Sequence, residues 1–324
     1  MILQPFDPWK SRLCTCPPKL SLNPYTGCPH GCLYCYASSY IPRFAECRPK
    51  VDLLKRLARE AARVEPGTLV ALSNSSDPYP PQEKDLRLSR SCLQILKERD
   101  LCVQVVTKSH LVAQDAELLA GMSACVAITV TTLHDSICRR LEPGAPLPAK
   151  RLLAMAKLAE NGVAVSARID PIIPGINDEE IEELVEAVSQ AGAGHITSST
   201  YKARPGNIKK IVSAFPQEGA ALESLFAGGG KVAGSCRLPA GTRRDLMQRV
   251  KESAERWGVT FSSCREGLAA VPGINCDGSH LLISMSRLKH KNNTEGQQAM
   301  SVFAACSSYR PCRGGRGHKC NAVP

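Results

Sequence analysis

Between residues 50 and 262 the chain alternates helical patterns with short apolar runs, and nothing else in it constrains the fold as tightly. VDLLKRLAREAARV (51–64) spaces its apolar residues as a helix does, and TLVALS (68–73) is a short apolar run that ends in the polar NSSDPYPP. The alternation continues through helical SRSCLQILKERD, strand-like LCVQVVT (101–107), helical AQDAELLAGM and β-branched CVAITVTT (125–132). PAKRLLAMAKLAENG (148–162) reads as a helix with Gly162 as its C-terminal cap, and VAVSARIDPIIPG (163–175) as a strand entering a proline-bounded loop. Asn177 is expected to cap the helix DEEIEELVEAVSQAG, whose early carboxylates suit the helix dipole, and HITSST (195–200) is the next strand. Repeated strand–loop–helix units predict a parallel sheet with helices outside it. With the segment before Cys28 as the first strand there are about six units, hence an α/β fold of the partial (β/α)6 TIM-barrel type. In such sheets chemistry gathers at the C-terminal strand ends, where NSSD, TKSH, TT, RIDP and SSTY fall. After 201 the pattern degrades, except for a final helix in GTRRDLMQRVKESAERWG (241–258). The expected organisation is an N-terminal extension with Cys-x-Cys (1–19), the barrel (20–262), and a Cys- and Arg-rich basic C-terminal extension (263–324).

Directly after the expected first strand comes NPYTGCPHGCLYCYA (23–37), which spaces Cys28, Cys32 and Cys35 as Cys-x3-Cys-x2-Cys. Three thiolates on one loop can hold three irons of a [4Fe–4S] cluster and leave the fourth without a protein ligand. An open iron can bind a substrate or cosubstrate, as a catalytic metal keeps an open position. Gly27 and Gly31 let the loop bend around the cluster, and Tyr34 and Tyr36 could shield it or pack on a nucleoside. The same spacing also suits zinc with a distant fourth ligand, either His30 or another cysteine.

The opening MILQPFDPWK lacks the basic start and apolar stretch of a signal peptide, and no apolar run approaches the roughly 18–20 residues that span a bilayer. A cytoplasmic, membrane-free protein is therefore expected, in which sixteen cysteines point to metal or catalysis rather than disulfides. Lys and Arg exceed Asp and Glu by 41 to 30, a net charge of +11, which suits a polyanionic partner such as nucleic acid. Much of the excess lies in the last forty residues, so it can equally describe a tail alone.

The cysteine loop resembles that of the radical S-adenosylmethionine (SAM) superfamily. The likeness extends over roughly 20–200, where SSDPY (75–79), VTKSH (106–110), LEPGAPLPAKRLLAMAKLAENG (141–162) and RIDPIIPG (168–175) resemble the spore photoproduct lyase-like branch, often called DNA repair photolyases. The resemblance implies a [4Fe–4S] cluster whose open iron chelates SAM, reductive cleavage to a 5′-deoxyadenosyl radical, and abstraction of a substrate hydrogen. It also implies a reductant such as ferredoxin or flavodoxin. Residue by residue, Lys108 resembles the lysine that holds the SAM carboxylate, and Thr129 stands where a serine contacts SAM on the fourth strand. Ser75 and Ser76 stand where the second-strand loop meets the SAM amino group or ribose, and Arg168 with Asp170 could orient SAM or substrate or brace the rim. Spore photoproduct lyases carry a hydrogen-donating cysteine in the second-strand loop; here Asn74 stands near that position. A radical SAM enzyme acting on nucleic acid, but not on the spore photoproduct, is the leading expectation. The alternatives are radical chemistry on a peptide or small metabolite, and a non-catalytic zinc or iron–sulfur protein that binds nucleic acid.

Cys14, Cys16, Cys264 and Cys276 flank the barrel and form a candidate site for a second iron–sulfur cluster or zinc, because first and last barrel segments can meet. Cys306, Cys312, Cys320 and His318 are a second such group, and Arg313-Gly-Gly-Arg316 a short candidate nucleic-acid contact. Cys92, Cys102, Cys125 and Cys138 are expected as small core residues, and His134 and His195 as structural ones.

Overall fold

The computed structural model describes residues 1–6, 13–232, 234–268 and 271–282. The tail group around Cys306, Cys312, Cys320 and His318, and the Arg313–Arg316 segment, lie outside the described residues. Residues 1–286 form one compact unit.

Its centre is a parallel sheet built from β1 (Leu20–Leu22), β2 (Leu69–Leu72), β3 (Cys102–Thr107), β4 (Ala124–Thr129), β5 (Ala164–Ile172), β6 (His195–Thr200) and β7 (Thr260–Ser263), each paired with the next in chain order. A short antiparallel strand, Gln4–Pro5, caps the open β1 edge. The fold is thus the α/β partial barrel the alternation implies, with β7 as a parallel strand that the sequence pattern did not assign. Thr260–Ser263 is only half-buried and polar at three of its four positions, so it lacks the apolar run by which the other strands are read.

The helices α1 (Leu53–Ala61), α2 (Leu88–Lys97), α3 (Ala116–Ala120), α4 (Asp135–Leu141), α5 (Pro148–Glu160), α6 (Ile181–Gln190), α7 (Pro205–Ala214), α8 (Pro216–Ala227) and α9 (Ala240–Arg256) follow the strands. Their apolar stripes cover alternate strand positions: Val103, Val105, Val126, Ile128, Val165, Ala167 and Ile196 share one buried core with Leu57, Leu93, Met155, Leu158, Leu184, Val188 and Val250. Helices α7 and α8, absent from the sequence reading, each begin with proline in the first turn, where a missing N–H costs nothing.

Helix α6 begins at Ile181 rather than directly after Asn177. Asn177 is committed elsewhere: its Oδ1 accepts from Ile173 N at 2.7 Å, and its Nδ2 donates to the carbonyls of Thr131 (2.7 Å) and Pro171 (3.1 Å). It ties the loop after β5 to the loop after β4 instead of capping the helix. Of the cysteines expected in the core, Cys92, Cys125 and Cys138 are fully buried, whereas Cys102 is half-buried at the start of β3.

The opposite strand faces enclose an interior that a late segment covers. Leu281 and Leu282 pack with Cys125, Ala164, Leu69 and Cys102 near the strand starts. Asp277 pairs with Lys19, its carbonyl accepts from Gln104, and the Cys276 carbonyl accepts from Thr197 Oγ1 at 2.7 Å. A Cβ on Gly278 would stand 2.9 Å from Ser166, and its φ of +80° lies in the left-handed region, so only glycine passes here without displacing a neighbour.

Candidate functional site at the barrel mouth

The cysteine loop lies at the C-terminal end of the sheet, held there through its backbone by Phe44, Leu141 and Asn207 and by one turn of its own. Cys28 N donates to Phe44 O (2.7 Å), Leu33 N to Leu141 O (2.9 Å), Cys35 N to Cys32 O (3.1 Å), and Asn207 Nδ2 to Cys35 O (2.7 Å). Gly27 adopts φ +85°, and a Cβ there would sit 2.1 Å from Glu46 O, so the turn into Cys28 needs glycine. Gly144 of the LEPG segment is packed as closely: its Cβ would stand 2.3 Å from Pro29 O, and its N–H donates to His30 O (2.8 Å).

Two buried carboxylates organise the mouth, and the sequence reading assigned neither a role. Asp77, in the loop after β2, accepts from Lys108 N (2.8 Å), Thr107 Oγ1 (2.7 Å) and Tyr79 N (2.9 Å), and lies 3.1 Å from His30 Nε2. Burial alone would raise its pKa, but the His30 charge and these donors outweigh burial and hold it down to about 2. The other His30 nitrogen, Nδ1, lies 3.1 Å from Gly144 O. Burial works against the charged ring, yet Asp77 raises its pKa, and with an acceptor at each nitrogen the imidazolium fits best. His30 is thereby a latch between the cysteine loop, the β2 loop and LEPG.

Glu142, the second carboxylate, accepts from Tyr34 Oη, from Arg151 and from Thr131 Oγ1 (2.8 Å), with Lys108 Nζ at 3.9 Å. Burial would again raise its pKa, and Arg151 and Lys108 bring it down to about 2. Lys108 Nζ also lies 5.4 Å from the Tyr34 ring centroid, a cation–π contact.

The residues singled out from sequence distribute as follows. Lys108 ends β3 beside Glu142 and Tyr34. Thr129 ends β4, buried, with its carbonyl accepting from Arg151 (3.0 Å). Ser76 is buried, and its hydroxyl has no hydrogen-bond partner among the described residues, while Ser75 Oγ reaches Asn23 Oδ1 at 3.4 Å. Asn74 is pinned through its backbone to Asn23 and Tyr36 and through its amide to Ser21. Arg168 pairs with Asp170 (2.6 Å), which also accepts from Ser199 Oγ (2.5 Å). Beside this pair stand Lys202, 2.8 Å from buried Glu266, and Arg265, held at φ +58° next to Cys264 and Tyr36. Arg204 reaches Ser39 Oγ (2.7 Å) on the cysteine loop.

The three loop thiols suit a cluster with one ligand per iron. None is in a disulfide, and each of Cys28 and Cys32 feels the charge of its companions. Burial, then Asp77, pushes the Cys28 thiol up to about 12, and burial, then Glu142, pushes Cys32 up as well. Among the described residues, no three His, Cys, Asp or Glu side chains converge tightly enough for a single ion, here or at Cys14, Cys16, Cys264 and Cys276. A [4Fe–4S] cluster takes one thiolate on each of three irons, so its ligands stand apart. Of the second cysteine group, Cys16 and Cys276 touch, their sulfurs 3.3 Å apart, while Cys264 lies by Arg168 and Asp170. His195 is structural: buried, Nδ1 2.9 Å from Thr260 Oγ1, and edge-on to His280. His134 is largely exposed, 3.8 Å from Glu180.

The family model for the radical SAM superfamily matches residues 22–188, slightly more than half of the 324 residues. An uncharacterized protein of Methanocaldococcus jannaschii is 32% identical over 165 residues, covering 50% of this chain and 63% of that protein. The protein of Pseudomonas phage M6 named Radical SAM Nalpha-GlyT isomerase is 23% identical over 277 residues, 82% of this chain and 57% of that protein. The chain thus spans about three-fifths of the length of these relatives. Among solved structures, a spore photoproduct lyase variant with bound AdoMet and dinucleoside spore photoproduct superposes with a TM-score of 0.58 at 15% identity, over 75% of each chain. At that identity the likeness is one of fold.

Proposed function

The chain belongs to the radical SAM superfamily, and from that premise we propose that it is a radical SAM enzyme whose substrate is nucleic acid. One observation carries the catalytic part: Cys28, Cys32 and Cys35 share a loop at the strand ends, and residues 23–37 contain no fourth cysteine. When bound there, a reduced [4Fe–4S] cluster would supply the electron that splits SAM and starts hydrogen abstraction.

The chain's own residues bind and orient. Lys108, at the end of β3, offers an ammonium to a carboxylate such as that of SAM, with Glu142 and the Tyr34 ring fixing its position. Ser76 supplies a buried hydroxyl still lacking a partner among the described residues, available to an amino or ribose group. Thr129 and Ser75 complete the proposed SAM contacts from neighbouring strand ends. His30, paired to Asp77, keeps the cysteine loop against the β2 loop, and buried Tyr25 and Tyr79 with half-buried Tyr34 help to exclude water.

Nucleic acid is supported by the rim. Arg168, Lys202, Arg204 and Arg265 gather on the side of the mouth facing Tyr36, against the carboxylates of Asp170 and Glu266. Guanidinium forks there suit phosphate oxygens. The phage relative, whose alignment covers most of this chain, bears a name that denotes an isomerase of Nalpha-GlyT. A low-potential reductant such as ferredoxin or flavodoxin would supply the electron.

Anaerobic reconstitution followed by dithionite and SAM tests the reading. The expected result is 5′-deoxyadenosine from the wild type and none from Cys28→Ala. Zinc without iron, or a cluster that leaves SAM intact, would contradict it. Binding to DNA and tRNA across a salt series tests the substrate class: affinity should fall steeply with salt. Salt-independent or absent binding would favour a peptide or small metabolite instead.

A further inference from the structure

We propose that Cys16 and Cys276 form a redox-active dithiol that closes reversibly to a disulfide, joining the segment before β1 to the segment that covers the barrel interior. Their sulfurs lie 3.3 Å apart although 260 positions separate them in the chain. Bond formation needs only about a further 1.2 Å of approach to a disulfide length of about 2.05 Å.

Both segments are clamped beside the thiols, so the approach is built into the fold. Lys19, three residues after Cys16, pairs with Asp277, the residue after Cys276, and both charged groups are buried. Lys19 Nζ also donates to Gln104 Oε1 (2.9 Å), whose amide nitrogen donates back to the Asp277 carbonyl. Thr197 Oγ1 donates to Cys276 O (2.7 Å), and Ser279 N donates to Asp277 Oδ1 (3.0 Å). The sequence allowed four cysteines here to share a metal; the structure brings Cys16 and Cys276 into contact, and no three of these groups converge on one ion among the described residues. Cys264 lies beside Arg168, Asp170 and Lys202, and Cys276 also acts on Arg168 from its own side.

The chemistry is thiol–disulfide exchange with a small disulfide, R–S–S–R, such as oxidised glutathione. Cys16 is half-buried and Cys276 is buried, so exchange begins at Cys16. Its sulfur bonds to one sulfur of R–S–S–R as the S–S bond of that disulfide breaks, the other half leaves with the thiol proton as R–SH, and a Cys16–S–S–R mixed disulfide remains. The Cys276 sulfur then attacks Cys16 Sγ and expels the second R–SH. Two thiol protons and two electrons pass from the protein to the two R–SH products, and two equivalents of R–SH reverse the process. This inference does not depend on the radical chemistry or its substrate.

The test uses the full chain with its iron content reconstituted, equilibrated in glutathione redox buffers, alkylated and mapped by mass spectrometry. A peptide linking Cys16 to Cys276 is expected under oxidising buffer and should disappear with dithiothreitol. Cys16→Ser and Cys276→Ser should each abolish it, while Cys14→Ser and Cys264→Ser should retain it. Oxidation should also raise the Tm of the wild type and leave Cys276→Ser unchanged; unaltered iron content in each variant reports that it folds. Three results would overturn the proposal: both thiols fully alkylated in every buffer, a link from either cysteine to Cys14 or Cys264, or a metal ion in the wild type that Cys16→Ser loses.

Discussion

The barrel's two ends both bury charges and use them differently. At the floor, Lys19, Asp277 and Gln104 satisfy one another and the backbone of the covering segment, so their polar capacity is turned inward. At the mouth, Asp77 and Glu142 anchor elements that bear other groups: His30 on the cysteine loop, Lys108 at a strand end, and Tyr34 between two cysteines. Burial alone therefore does not mark a site in this molecule. What distinguishes the mouth is that its buried carboxylates position the cysteine loop and an ammonium, beside a Ser76 hydroxyl that has no partner among the described residues.

Substitutions at the two ends should break or sharpen this contrast. The largest effect is expected from Glu142→Gln, which leaves Arg151 buried without its counter-charge and loosens Tyr34 and Lys108. A loss of about 3–5 kcal/mol in denaturant unfolding is expected, together with loss of SAM cleavage. Lys19→Met should cost slightly less, about 3 kcal/mol, because Gln104 can still reach the Asp277 carbonyl. Its iron content and SAM cleavage should stay near wild type at a temperature where it is folded. Equal loss of activity in both variants would erase the distinction between floor and mouth.

Acid separates the ends by a smaller effect. His195 at the floor is held down to about 3 by burial and then by His280, below an unfolded value of about 6.5. Its neutral form therefore contributes stability above that value, lost as pH falls from 6.5 toward 3. Asp77 and Glu142 at the mouth are held at about 2, below unfolded values of about 3.9 and 4.3, so their contributions fade only below about 4. Stability measured against pH should thus decline first in the range that His195→Gln removes. The smallest expected effect is that of Arg265→Ala, which should weaken nucleic-acid binding less than tenfold and reduce the salt slope by about one, with SAM cleavage intact.

The parallel strands β2 to β6 were legible because each is an apolar run between helical patterns. Strand β7 was not, since Thr260–Ser263 is polar and takes its place from pairing with β6. The Cys28, Cys32 and Cys35 spacing was legible as local chemistry. Glu142 and Asp77 were in view within LEPG and SSDPY, but their partners lie 34 and 47 positions from them in the chain, at Lys108 and His30. Contacts of that range leave no periodic trace. A charged residue flanked by proline, as both of these are, was the only local sign. Cys16 and Cys276 were grouped in the sequence with Cys14 and Cys264, but that these two touch depends on how the late segment crosses the barrel.

The central claim is that the cysteine loop holds an iron–sulfur cluster that works on SAM. Its most direct test is iron and sulfide analysis of the reconstituted wild type beside Cys28→Ala. About four irons and four sulfides per chain, lost together in the variant, are predicted. A chain that takes up zinc alone, or iron that Cys28→Ala leaves untouched, would contradict it.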